Sequence, residues 1–369
     1  MIEQYQYTTT QKYNFPHSVQ DLQLPQHFIQ LSLRTLKNIK NSKLFQPSTT
    51  TQPANLTTQT LEEPTHLFTG SSQPKLKPIP LKPTRDETPI VAVDVSSMKI
   101  GETNIGILCA IRAAIVWKQK HQYRYLRLGP FPFHITEENK NEVYHLFRQY
   151  SFLEQPTLDY TSTLSLIYAP TRLGALLERW LQMSITAQTR NSLILWDGSL
   201  TAGTQDAPVA VISQLLETAR NRSNTVLAFT KMTRLRLLGY RLTDYIGKCT
   251  PPCLLEINGY PMALSNAIRL LGNIYVAKLS EGNCAFRLDV DRKLPREKAV
   301  EAARRLIGNE IVLQSYPETL RLAHIYSTFT ANEVIGIQRF LAQTHKLKIV
   351  TRPNVRRLLF GPFGKGPES

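Results

Sequence analysis

The feature that most constrains the fold is the order of apolar patterns between residues 90 and 229. β-Branched and aliphatic residues crowd 90–94 and 104–117, and 123–128 extends the pattern, which predicts adjacent strands in a hairpin or meander. From Leu173 the apolar positions change period, falling at Leu173, Leu176, Leu177, Trp180 and Leu181, the spacing of a helix face. A strand is predicted at 192–196, then the turn Asp197-Gly198-Ser199-Leu200, a helix around 207–221 and a strand from Thr225 to Phe229. Adjacent strands followed by alternating helices and strands predict an α/β domain with a mixed sheet flanked by helices. Further strands are expected at 273–279, 284–290 and 310–314, and helices at 295–307, with Pro295 in the first turn, and at 331–345.

The segment before residue 89 reads differently. Pro47 to Thr88 is rich in Thr, Pro, Gln and Ser with almost no aliphatic periodicity, the composition of a disordered linker. Upstream, Val19 to Leu44 carries scattered apolar residues and lysines, suiting one or two short helices that are either a docking element or part of a helical cap. The expected organisation is a short helical docking segment (1–46), a linker (47–88), a catalytic-type domain (89–350) and a flexible basic tail (351–369), with the N-terminal extension largely disordered. Removal of residues 1–80 is accordingly expected to leave the core folded. From Lys346 to Lys365 the chain carries Lys346, Lys348, Arg352, Arg356, Arg357 and Lys365 and no acidic residue; this tail is either a phosphate-binding arm or a solvated terminus.

The formal charge of +16 on 369 residues favours a polyanionic partner, nucleic acid before an anionic membrane surface. The longest apolar stretch, Gly106 to Trp117, is broken by Arg112 and is too short to span a bilayer, so no membrane association is expected. The N-terminus shows no apolar signal core, which leads to the expectation of a cytoplasmic protein. Cys109, Cys249, Cys253 and Cys284 do not make a disulfide framework, and the C-x3-C pair lacks the further ligands of a zinc site. No G-x-x-x-x-G-K-[ST], H-E-x-x-H or G-x-S-x-G occurs, so an ATPase of its own, a zinc protease and a serine hydrolase all lack support.

Three carboxylates remain. Asp94 closes the run Ile90-Val91-Ala92-Val93, Asp197 closes Ser192 to Trp196, and Glu178 lies on the helical pattern between them. Singly, each reads as a turn, a cap or a solvated helix flank. Together, at the ends and neighbours of consecutive core elements, they can form an all-oxygen cage for a hard divalent ion. Such a cage suits phosphodiester hydrolysis, which must neutralise transition-state charge and activate water. Lys231, just past the strand from Thr225 to Phe229 and trailed by Arg234, Arg236 and Arg241, is either a phosphate-holding charge or a basic helix start on the surface. His324, in an apolar helical stretch, is either a core histidine or a metal ligand or proton donor. Tyr316, before Pro317, packs or assists the site.

In this order, VAVD (Asp94), LLERW (Glu178), LILWDGSL (Asp197), LAFTK (Lys231) and SYPETLRLAH (Tyr316, His324) resemble the NurA family of nucleases over roughly residues 88–350. One position departs: the family often has Gly after the first Asp, and here Val95 disfavours positive φ, so the backbone there is expected to take a different path. The resemblance implies an RNase H-like core and a homodimer. It implies Mn²⁺- or Mg²⁺-dependent 5′–3′ exonuclease and single-strand endonuclease activity on DNA ends in double-strand break repair. It further implies a hexameric HerA-type ATPase as partner. Carried over, Asp94, Glu178, Asp197 and His324 are metal ligands, Lys231 holds phosphate and Tyr316 orients substrate or a water. Two other readings stand beside it: a non-catalytic DNA-binding subunit that recruits or gates a translocase, and a hydrolase of small phosphoesters.

Overall fold

The structure, a computed structural model, describes residues 24–46, 77–150, 165–233, 235–237, 240–247, 249–257 and 268–351. Among these, eleven strands join one mixed sheet: β1 (Lys43–Phe45), β2 (Pro78–Pro80), β3 (Ile90–Glu102), β4 (Gly106–Gln119), β5 (Gln122–Thr136), β6 (Leu193–Asp197), β7 (Thr225–Thr230), β8 (Cys253–Glu256), β9 (Gly272–Lys278), β10 (Phe286–Asp291) and β11 (Lys348–Val350). Among the described residues, seven α-helices cover it: α1 (Leu24–Leu36), α2 (Lys140–Tyr150), α3 (Ala169–Gln188), α4 (Val209–Asn221), α5 (Arg296–Asn309), α6 (Glu318–Ser327) and α7 (Ala331–His345).

The centre of the sheet runs β5-β4-β3-β6-β7. β3, β4 and β5 form an antiparallel meander, while β6 lies parallel to β3 and β7 parallel to β6. Three antiparallel strands joined through helices to two parallel ones is the RNase H-like arrangement. The sheet continues antiparallel from β7 through β10, β9 and β8 to β2. Parallel pairs require crossover connections, and here they contain α2 and α3 (β5 to β6) and α4 (β6 to β7).

Strand alternation separates the two faces. Val91 and Val93, with Ile194, Trp196, Val226 and Ala228, pack under α3 and α4; the α3 stripe of Leu173, Leu176, Leu177, Trp180 and Leu181 is buried there. Ile90 and Ala92, with Leu193, Leu195, Leu227 and Phe229, face α5 and α6 through Ala299, Ala303, Leu306, Leu320 and Ala323. Burying both faces explains why these strands read as continuous apolar runs. α7 starts with a Thr330–Glu333 capping box, as its sequence allows.

Several boundaries differ from the sequence reading. β3 and β5 extend well beyond the apolar cores at 90–94 and 123–128. The strand expected at 310–314 shrinks to Val312–Leu313, which forms a small hairpin with Tyr316–Pro317. Residues 77–88, read as linker, belong to the fold: β2 pairs with β8, and Leu81 is buried. Thr84 and Asp86 are tied to α5 through Arg304, Arg305 and Asn309. The segment 24–46 is likewise built in. Phe28 of α1 is buried among Phe131, Phe133 and Phe147, and β1 joins β11 and the end of β3. Cutting at residue 80 would therefore remove core, contrary to the composition-based expectation; composition misled because a one-helix arm needs only a few apolar side chains. Residues 1–23, 47–76 and 352–369 lie outside the described residues, and with them the rest of the linker and the basic tail. Among the described residues, no helix is long and apolar enough to cross a membrane.

Candidate metal centre

The alternation that puts Ile90 and Ala92 on one face also puts Asp94 there. The same rule carries Asp197 to that face after Leu193 and Leu195. The parallel β3–β6 ladder runs from Ile90–Leu193 to Val93–Trp196, so both aspartates stand one residue past its end. Asp94 does not end its strand, as the sequence reading had it. β3 continues for eight residues beyond it, paired with β4, and only its other edge loses β6 as a partner at this point. That explains Val95. The backbone stays extended, a β-branched residue suits it, and the Val95 side chain packs into the core under α3.

Asp197 does end β6, and the turn after it is firmly held. Gly198 takes φ of 138°, a conformation that favours glycine, and its N–H donates to Phe229 O at 2.8 Å. Thr230 Oγ1 donates to Gly198 O at 2.9 Å. Leu200 N donates at 2.9 Å to Asp289 Oδ2, and Arg287 grips the same carboxylate twice, at 2.7 Å each, with both side chains fully buried. Gly272 leaves the room: a Cβ there would lie 2.9 Å from Asp289 Cβ and 3.0 Å from Leu200 Cβ.

α6, which covers this same face, delivers His324. Its N-terminus is anchored by the buried Glu310 carboxylate, which accepts hydrogen bonds from Thr319 N and Oγ1 and from the Tyr123 hydroxyl. One ligand atom from each of Asp94, Asp197 and His324 lies within 4.8 Å of the other two. His324 Nδ1 is 3.4 Å from Asp94 Oδ2, and Lys231 Nζ is 2.6 Å from Asp197 Oδ2. Tyr316 lies beneath Lys231, whose ammonium is 5.5 Å from the ring centroid. The Asp94 carboxylate is buried, which alone would raise its pKa. Hydrogen bonds from His324 and Ser327 and the charges of His324 and Lys231 outweigh that and hold it below the usual range, so it stays ionised. Burial, then the charges of Asp197 and Asp94, push the Tyr316 hydroxyl up, so it remains a proton donor. That hydroxyl is buried and has no hydrogen-bond partner among the described residues.

The fold thus gathers Asp94, Asp197, Lys231, Tyr316 and His324. Glu178 is not part of the 4.8 Å group. It lies on α3, which covers the other face of the sheet, and its Oε1 accepts from Gln182 Nε2 at 3.0 Å. Sequence reasoning missed Ser327, whose hydroxyl donates to Asp94 Oδ2, and the Arg287–Asp289 pair behind the turn. Ser327 follows His324 by three residues, so the helical period already placed it on the histidine's side. The Arg287–Asp289 contact left only an i, i+2 spacing in a strand, too common to signal a site. The four cysteines are free thiols outside the group.

No family model matches this chain, and no curated protein matches it. Among solved structures it is similar to the NurA nuclease from Sulfolobus solfataricus, at 15% identity and a TM-score of 0.45, over 72% of this chain and 87% of that one. A second NurA structure is similar at 10% identity and a TM-score of 0.34, over 71% of this chain and 92% of that one.

Proposed function

We propose that this protein is a divalent-metal-dependent nuclease that cuts DNA, with Asp94, Asp197 and His324 holding the ion. The observation that carries the reading is the convergence of two carboxylates and an imidazole on one point beside a lysine, in a basic chain. The donor set fits such an ion: carboxylates suit Mn²⁺ or Mg²⁺, and the imidazole favours Mn²⁺ of the two. The orphaned Tyr316 hydroxyl adds a donor with nothing yet to bind. Bound there, the ion would supply charge neutralisation and activation of water.

The chain's own groups divide the remaining work. Lys231 offers a compact positive charge for a non-bridging phosphate oxygen. His324, half exposed, sits where a proton can pass between site and solvent. Tyr316, beneath the Lys231 ammonium, would orient the substrate or a water at the site. Glu178, which the motif order groups with the aspartates, would be a further carboxylate for a second ion. Basic residues beyond the site, such as the exposed Arg236 and Arg241, would track the backbone in a salt-dependent way. In keeping with the motif order that resembles the NurA family, the proposed role is exonuclease and single-strand endonuclease action on DNA ends in the cytoplasm, as a homodimer beside a HerA-type hexameric ATPase.

The test is incubation of end-labelled linear DNA with the purified chain in Mn²⁺, Mg²⁺ or chelator, beside Asp197→Ala. Cutting that needs metal and disappears in the variant is the expected result. DNA binding without cutting in every metal would instead favour the non-catalytic subunit.

A further inference from the structure

The residue that sets the geometry of Asp94 lies on another element. Ser327, the last residue of α6, is fully buried. Its Oγ contacts three groups: Asp94 Oδ2, Ser96 Oγ at 3.1 Å and the carbonyl oxygen of His324 at 3.0 Å. A serine hydroxyl has one proton to give. The ionised carboxylate is the strongest acceptor of the three, so the proton goes to Asp94 and the Ser96 hydroxyl donates in turn to Ser327. Ser96 stands two residues after Asp94 on β3, hence on the same face.

The chain Ser96 to Ser327 to Asp94 therefore ties β3 to the helix that carries His324. Both Ser327 and His324 engage the same carboxylate oxygen, Oδ2. Among the described residues this leaves Oδ1 as the oxygen of Asp94 available to an ion. The contact also fixes the end of α6 one turn from His324, so a single hydroxyl orients two of the three ligands.

Resting on the metal-site reading above, we infer that Ser327 is a positioning residue for the metal centre, acting through Asp94, with Ser96 as its hydroxyl donor. Outer partners of metal ligands commonly contribute 10- to 100-fold to affinity.

Mn²⁺ binding to the full chain, followed by electron paramagnetic resonance without DNA, tests it. Ser327→Ala is expected to weaken Mn²⁺ binding about ten-fold or more, with thermal unfolding of the metal-free protein close to wild type. Ser96→Ala, which leaves Ser327 in place, is expected to weaken it about two- to three-fold. The double variant should bind no worse than Ser327→Ala alone, because the Ser96 hydroxyl acts only through Ser327. Wild-type affinity in a folded Ser327→Ala would overturn the positioning role and leave the metal site standing. Losses that add in the double variant would overturn the relay. A wild-type chain that binds no Mn²⁺ would overturn both the site and this inference.

Discussion

Arg287 and Asp289 on β10, and Asp94, Asp197, Lys231 and His324 around β3, β6, β7 and α6, are two charged groups in one sheet. In the first, the guanidinium and carboxylate meet through two bonds of 2.7 Å, a backbone N–H completes the set, and no solvent reaches either side chain. The second has two carboxylates close together, a lysine still about one-third exposed, a histidine half exposed and a tyrosine hydroxyl with no hydrogen-bond partner among the described residues. Like charges held together cost stability unless a cation offsets them. The difference teaches that the sheet can satisfy charge completely where it needs only a rigid turn. Where it sets two carboxylates beside a lysine and a histidine that stay partly open to solvent, on the rim of the same turn, the arrangement suits an outside ligand.

Removing one partner from each group should sharpen that contrast. Arg287→Ala strands a buried carboxylate and should cost about 3–5 kcal/mol of stability, read by denaturant unfolding. Asp197→Asn should do the reverse: a loss of about a thousand-fold in cleavage, ~4 kcal/mol of barrier, with Tm of the metal-free protein moved by no more than about 3 °C. A large fall in Tm for Asp197→Asn would erase the distinction between the two groups.

His134 belongs with the satisfied class. It is buried, hydrogen-bonded to Thr103 Oγ1 at 2.9 Å, and its pKa is pushed down by burial to about 4. It folds neutral, so its contribution is fully present above the unfolded pKa near 6.5 and is lost as pH falls toward 4, about 3 kcal/mol over that window. His134→Gln should flatten that part of the stability–pH curve. Last and smallest, Lys231→Gln should lower cleavage by roughly ten- to a hundred-fold and barely change stability, since a partly exposed pair contributes under about 1 kcal/mol. Equal loss of folding and cleavage would mark Lys231 as structural.

The central strands and helices were legible because their patterns differ: short continuous apolar runs before Asp94 and Asp197, three- and four-residue spacing from Leu173 to Leu181. Asp94 and Asp197 were legible as a pair because each closes an apolar run; that Lys231 and His324 belong with them was implied only by the motif order that resembles the NurA family. What lay beyond reach depends on long-range packing. Nothing local says that β3 runs on past Asp94, since pairing with β4 carries it through Ser96 and Ser97. Nor does local sequence reveal that Phe28 fills a pocket made by Phe131, Phe133 and Phe147, or that Pro78–Pro80 caps the sheet edge at β8. Glu178 was grouped with the aspartates by order along the chain, and order does not report which face a helix covers.

The most direct measurement is the anomalous difference map of Mn²⁺-soaked crystals collected at the manganese absorption edge. The account predicts a peak in contact with Asp94, Asp197 and His324, absent in Asp197→Asn. A map with no peak there, or with manganese bound only at other residues, would contradict it.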